Sequence, residues 1–65
     1  MVAVVEYDTL AQRWTLMKYG CVGAVGSSMV EGSQSLVCGI ANVLEEHGWL
    51  IVTRQEYTQL QAKCS

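Results

Sequence analysis

The sequence predicts a small single α+β domain, and three features of its 65 residues support this prediction. A valine-rich segment at residues 2–7 opens the chain, an amphipathic helical pattern occupies the middle, and a β-branched apolar run follows that pattern directly. A chain of this size buries only about 60% of the surface that its unfolded form exposes, so one domain is the limit. We therefore expect residues 1–65 to form one short sheet packed on helices.

Residues 13–19 fit two interpretations. A period of two through Trp14 indicates a strand, joined to the first strand by a hairpin at residues 8–12. A helical spacing of Leu10, Trp14 and Met17 after a capping pattern indicates a helix instead. We prefer the hairpin, which gives the order β-β-α-β-α. The alternative order is β-α-loop-α-β-α.

Residues 20–35, GCVGAVGSSMVEGSQS, form a glycine- and serine-rich segment that leads into the main helix. We expect a loop here, whose free N–H groups could hold an anion together with the helix start. The standard nucleotide-binding patterns are missing, since no lysine lies between residues 19 and 53 and G-x-G-x-x-G does not occur. Glu31 would also repel a phosphate. The segment is therefore a weak signal for anion binding.

The main helix is predicted over residues 34–47. Ser33 or Ser35 can cap its start, His47 suits its carbonyl end, and Gly48 is the residue type that commonly ends a helix. The polar face comprises Asn42, Glu45 and Glu46. The apolar face follows the helical spacings of three, four and seven and comprises Leu36, Val37, Ile40, Val43 and Leu44.

Residues 49–52, WLIV, indicate a strand buried on both faces, most simply a central one. The pattern Thr53-Arg-Gln-Glu56 is a capping box that opens a second helix, predicted to end near residue 62. We expect both helices to pack on one face of the sheet. The inner face of the second helix is predicted to comprise Tyr57, Leu60 and Cys64.

The charge content limits the classes of partner. Charged residues make up 15% of the chain, against about 25% in typical domains, and the net charge is −2. Too few charges remain to cover so small a surface, so we expect a homo-oligomer. The cations are scattered, which argues against nucleic-acid binding. The sequence has no long apolar run and no signal-peptide pattern, so we expect no membrane span and a cytoplasmic location. The cations are Arg13, Lys18, Arg54 and Lys63.

Catalytic and metal-binding patterns are weak. The chain has one histidine and three widely spaced cysteines without a C-x-x-C pair, so we expect reduced thiols, no metal site and no cofactor. Ser27 or Ser28 could join His47 and Asp8 in a catalytic triad, but no nucleophile-elbow pattern supports this. Neighbouring glutamates in the main helix point about 100° apart and cannot share a proton. We expect no enzyme.

Two functional hypotheses follow. The first is a non-catalytic, acidic, homo-oligomeric protein that binds and modulates or inhibits a partner protein. Small proteins of phages or mobile elements often have this role, which is an association and not a derivation from the residues. The second is a protein that binds or sequesters a nucleotide-like or phosphorylated molecule in a pocket at an oligomer interface. The candidate ligand-binding residues are Gly26, Ser27, Ser28, Ser33, Ser35, Trp14, Tyr19 and His47.

Overall fold

A computed structural model describes the backbone of residues 1–64 and the side chains of residues 1–63. It confirms the α+β class, with one mixed sheet in the strand order β3-β2-β1-β4. No helix in the described part of the chain is long and apolar enough to span a bilayer. The elements in chain order are β1 (Val2–Asp8), β2 (Arg13–Tyr19), β3 (Ser27–Gly32), α1 (Gln34–Glu46), β4 (Leu50–Thr53) and α2 (Arg54–Cys64).

The first two strands form the predicted hairpin, so the helical alternative for residues 13–19 is wrong. They pair antiparallel from Val2 opposite Tyr19 to Asp8 opposite Arg13. In the turn, the Asp8 carboxylate accepts hydrogen bonds from the backbone N–H groups of residues 10 and 11 at 3.0 and 3.1 Å. Gln12 completes the reversal in the left-handed region, at φ 55°. The aspartate therefore fixes the turn that sets the strand register.

The prediction of a continuous loop over residues 20–35 is wrong, because β3 lies within it. This strand pairs antiparallel with β2, and a bulge opposite Leu16 and Met17 interrupts the register. Val30 lies opposite Leu16 and packs against the same cluster, while Glu31 points to the other face of the sheet. An edge strand needs few apolar residues to pack on the sheet. The glycine- and serine-rich composition therefore predicted a loop where a strand forms. The loop proper is confined to residues 20–26.

The two helices lie on opposite faces of the sheet, so the prediction of a single covered face is also wrong. Successive residues of a strand point to opposite faces. In β1, Ala3 packs in the cluster beneath α1, whereas Val2 and Val4 pack with Tyr57 of α2. The valine-rich β1 is apolar at both parities because a helix covers each of its faces.

Residues 49–52 do not form a central strand, because β4 lies at an edge of the sheet and pairs in parallel with β1. Its burial on both faces comes from the helices: Ile51 faces the cluster under α1, and Val52 faces the cluster under α2. Leu50 remains 49% exposed beside the open edge. A continuous apolar strand sequence therefore indicates that both faces of the strand are covered. It does not indicate how many strands lie beside it.

The caps of both helices are confirmed. Ser33 caps α1 by accepting from the Leu36 N–H at 3.2 Å, and His47 is its C-cap, followed by Gly48 at φ 91°. The capping box of α2 is complete: the Thr53 N–H donates to the Glu56 carboxylate at 3.0 Å, and the Glu56 N–H donates to the threonine hydroxyl at 3.3 Å. The side chain of Cys64 lies outside the described residues.

Candidate functional site

The predicted ligand-binding residues lie at separate places in one chain. Ser33 and Ser35 stand at the start of α1, and His47 stands at its end. The helix has 13 residues and rises 1.5 Å per residue, so its two ends are about 20 Å apart. Ser27 and Ser28 are exposed on β3. These side chains do not form one pocket within a single chain.

Tyr19 and Gly26 do meet, but in the core. The Tyr19 side chain is only 8% exposed and stacks on Tyr57, with the ring centroids 4.5 Å apart. The backbone of Gly26 lies so close that a Cβ atom there would be 2.5 Å from the Tyr19 ring. The glycine is therefore required for packing of the loop against the tyrosine.

A polar network surrounds the tyrosine pair, and no local sequence pattern predicts it. The Arg54 guanidinium donates to the Tyr19 hydroxyl at 3.1 Å and to the Glu6 carboxylate at 3.3 Å. Its carbon lies 5.8 Å from the centroids of both tyrosine rings. The hydrogen bond to Tyr19 raises the pKa of Arg54 above its usual range. The Gly23 N–H donates to the Tyr57 hydroxyl at 3.0 Å, which ties the loop to α2.

This network has the properties of a scaffold. Among the side chains of residues 1–63, no buried nitrogen or oxygen lacks a hydrogen-bond partner. Arg54 is already neutralised by Glu6, so it offers no free charge to an anion. The same described residues contain no group of three or more histidine, cysteine or acidic side chains suited to a metal ion.

Trp14 lies on the opposite face from Tyr19. It is half-buried, packs against the cluster beneath α1, and contacts Tyr7 edge-to-face at 5.5 Å between ring centroids. The two candidate aromatic rings are thus separated by the sheet itself and cannot hold one ligand between them.

Within the described residues, two surface grooves are lined by none of the predicted site residues. The larger, about 320 Å³, is at the hairpin and contains two carboxylates, which disfavour an anionic ligand. It is lined by Glu6, Tyr7, Asp8, Thr9, Leu10 and Thr15. The smaller, about 250 Å³, runs between β4 and α2 and has an apolar floor. It is lined by Leu50, Val52, Glu56, Gln59, Leu60 and Lys63.

An exposed apolar surface lies where α1 overhangs the open edge of β3. We call it the β3–α1 surface, and it comprises Val30, Leu36, Ile40 and Val43. Leu36 and Val43 are 47% and 52% exposed. Met29, in the bulge of the neighbouring edge strand, is 39% exposed. Leu36 reaches over the end of β3, because its Cδ2 lies 2.8 Å from the position of a Cβ on Gly32. The sequence placed Leu36 and Val43 on the buried face, but the sheet buries a narrower stripe centred on Val37 and Ala41.

The β3–α1 surface is uncharged. By helical spacing, Glu45 lies on the side of α1 opposite Leu36. Glu46, three residues after Val43, borders the surface at the last turn of the helix. Glu31, the charged residue of β3, forms an ion pair with Arg13 at 3.4 Å. In register, Glu31 lies opposite Thr15 and alternates with Val30, so its side chain is directed to the other face of the sheet. The surface therefore suits an apolar partner.

Comparison of the chain with protein-family models, with curated proteins and with solved structures finds no match.

Proposed function

We propose that this chain is a non-catalytic, self-associating cytoplasmic protein that binds and modulates a partner protein. One observation carries the proposal: large apolar side chains are exposed beside both open edges of the sheet, at Met29 near β3 and at Leu50 near β4. Exposed strand edges present unpaired backbone N–H and C=O groups, which pair readily with an added strand.

The smaller groove supports the partner-binding part of this proposal. It joins the open edge of β4 to α2, and its apolar floor is flanked by Glu56 and Lys63. An apolar centre with a charged rim is the usual composition of a protein interface. The hypothesis of a small anionic ligand has less support, since its candidate residues are dispersed and the larger groove is acidic.

Self-association is tested by native mass spectrometry and sedimentation equilibrium of the purified chain, whose monomer mass is 7.1 kDa. We expect a concentration-dependent dimer or larger species. A chain that remains monomeric at all accessible concentrations would contradict this part of the proposal.

Partner binding is tested with tagged protein expressed in its source cells. We expect a stoichiometric complex that Leu50→Lys abolishes, because the lysine places a charge on the apolar floor of the groove. The matched control is Gln61→Lys, an exposed position of α2 that does not line this groove. Equal recovery of the same protein with both variants, each shown to be folded, would contradict the assignment.

A further inference from the structure

The open edge of β3 has the features of a strand that accepts a further strand. It spans six residues, one of its sides pairs with β2, and it forms an end of the four-stranded sheet. Natural edge strands commonly prevent association with charged side chains, proline or β-bulges. β3 has no lysine or proline, and its charged residue, Glu31, is paired with Arg13. Its bulge lies at Met29, and the pairing of residues 30–32 with β2 is regular.

The α1 side of this edge would cover an added strand. Leu36 and Val43 follow helical spacing with the half-buried Ile40, and all three lie on one side of α1. Leu36 reaches the end of β3, and both Ile40 and Val30 pack against the same buried cluster. The parallel strands β3 and β4 are joined through α1, and the right-handed connection that such units adopt places this side of the helix toward β3.

The charge distribution favours a second copy of this chain as the occupant. A two-fold axis brings each surface against itself, so a surface that self-associates must avoid like charges. The β3–α1 surface meets that requirement, because its four side chains are uncharged and Glu31 is paired with Arg13. A strongly charged partner would find no complementary group on it.

We propose that two copies pair antiparallel through β3, with Val30 opposite Val30 of the second copy, to form one continuous eight-stranded sheet. This inference rests on the self-association proposed above. The register places β-branched side chains opposite each other on the face that α1 covers, which is a favourable cross-strand pair. It also staggers the two Glu31 carboxylates. Leu36 of each copy then covers part of β3 of the other.

Disulfide trapping tests the register. In a background with Ser at Cys21, Cys38 and Cys64, the variant Val30→Cys should form a dimer on mild oxidation. The two Cα atoms at position 30 would be about 5 Å apart, within disulfide range. The control Ser27→Cys should stay monomeric on a reducing-agent-free gel, since its two Cα atoms would be about 20 Å apart. Linkage at position 27, or no linkage at position 30 in a chain that still dimerises, overturns the proposal.

A charge placed on the covering helix gives an independent test. Leu36→Lys should weaken dimerisation at least about tenfold in sedimentation equilibrium, since two lysines would approach a desolvated apolar contact. The control Asn42→Lys adds the same charge to the exposed opposite side of α1 and should leave the dissociation constant unchanged. Circular dichroism melts establish that both variants fold. An unchanged dissociation constant for folded Leu36→Lys overturns this pairing while self-association stands, whereas a monomeric parent chain overturns both.

Discussion

Tyr19 at the end of β2 and Tyr57 in α2 stack with their planes 28° apart, although 37 residues of chain lie between them. This pair connects three parts of the molecule, because Gly26 packs on one ring and Gly23 donates to the hydroxyl of the other. The loop over residues 20–26 is therefore held by the face of the sheet that α2 covers.

Removal of the Tyr57 hydroxyl should release this loop without emptying the core. For Tyr57→Phe we expect the free energy of unfolding to fall by about 1 kcal/mol, the usual net value of one hydrogen bond. Urea denaturation measures the change, and limited proteolysis should show faster cleavage within residues 20–26. Tyr7→Phe is the control, since Tyr7 is exposed. Equal losses in the two variants would contradict a specific role for the Gly23 contact.

A methyl group at Gly26 should destabilise the fold. The Cβ of Gly26→Ala would enter the space of the Tyr19 ring, and overpacking of this kind costs about 1–3 kcal/mol. Gly20→Ala is the matched control, because no atom lies within 4 Å of the added carbon there. Thermal unfolding of both variants tests the prediction, which fails if their midpoints shift alike.

The two serines near the start of α1 should differ in their contribution to stability. Ser33→Ala removes the oxygen that accepts from the Leu36 N–H and should cost about 1 kcal/mol. Ser35→Ala replaces an exposed residue in the first turn by a better helix former and should be neutral or slightly stabilising. Chemical denaturation distinguishes them, and a larger loss for Ser35→Ala would contradict the assigned cap.

The two contacts of Arg54 should separate by their salt dependence. Glu6→Gln removes an ion pair whose side chains are 38% and 41% exposed, so we expect a loss below about 1 kcal/mol that disappears at high salt. Arg54→Met also removes the hydrogen bond to Tyr19 and the contact with both rings, which adds about 0.5–1 kcal/mol and should persist in salt. Thermal melts at low and high salt measure both. Identical salt responses would contradict this division.

The elements with local chemical signals were predictable from the sequence. Ser33 and the pair Thr53 and Glu56 cap their helices through contacts within three residues, so the sequence pattern contains both partners. The hairpin depends on Asp8, whose partners are two and three residues away. In each case a short segment determines its own geometry.

The features that depend on distant residues were not predictable in the same way. The composition of β3 resembles that of a loop. The segment is a strand because it pairs with β2, where Val30 lies opposite Leu16. The two helices lie on different faces because each packs on a different set of alternating β1 side chains. This choice depends on contacts between residues far apart in the chain. Arg54 approaches Tyr19 and Glu6 only after the sheet has formed. The sequence alone therefore could not show that Tyr19, a predicted ligand-binding residue, belongs to the core.

The pairing of β1 with β4 has a consequence for the order in which the molecule assembles. β1, β2 and β3 are consecutive in the chain and adjacent in the sheet, so they can form a meander through short connections. The last neighbour of β1 is β4, residues 50–53, which follows α1 in the chain. Closing so long a loop carries the largest entropic cost in the sheet, so we expect parallel strand docking to be the slow step of folding. Until then β1, an interior strand of the finished sheet, has one unpaired edge.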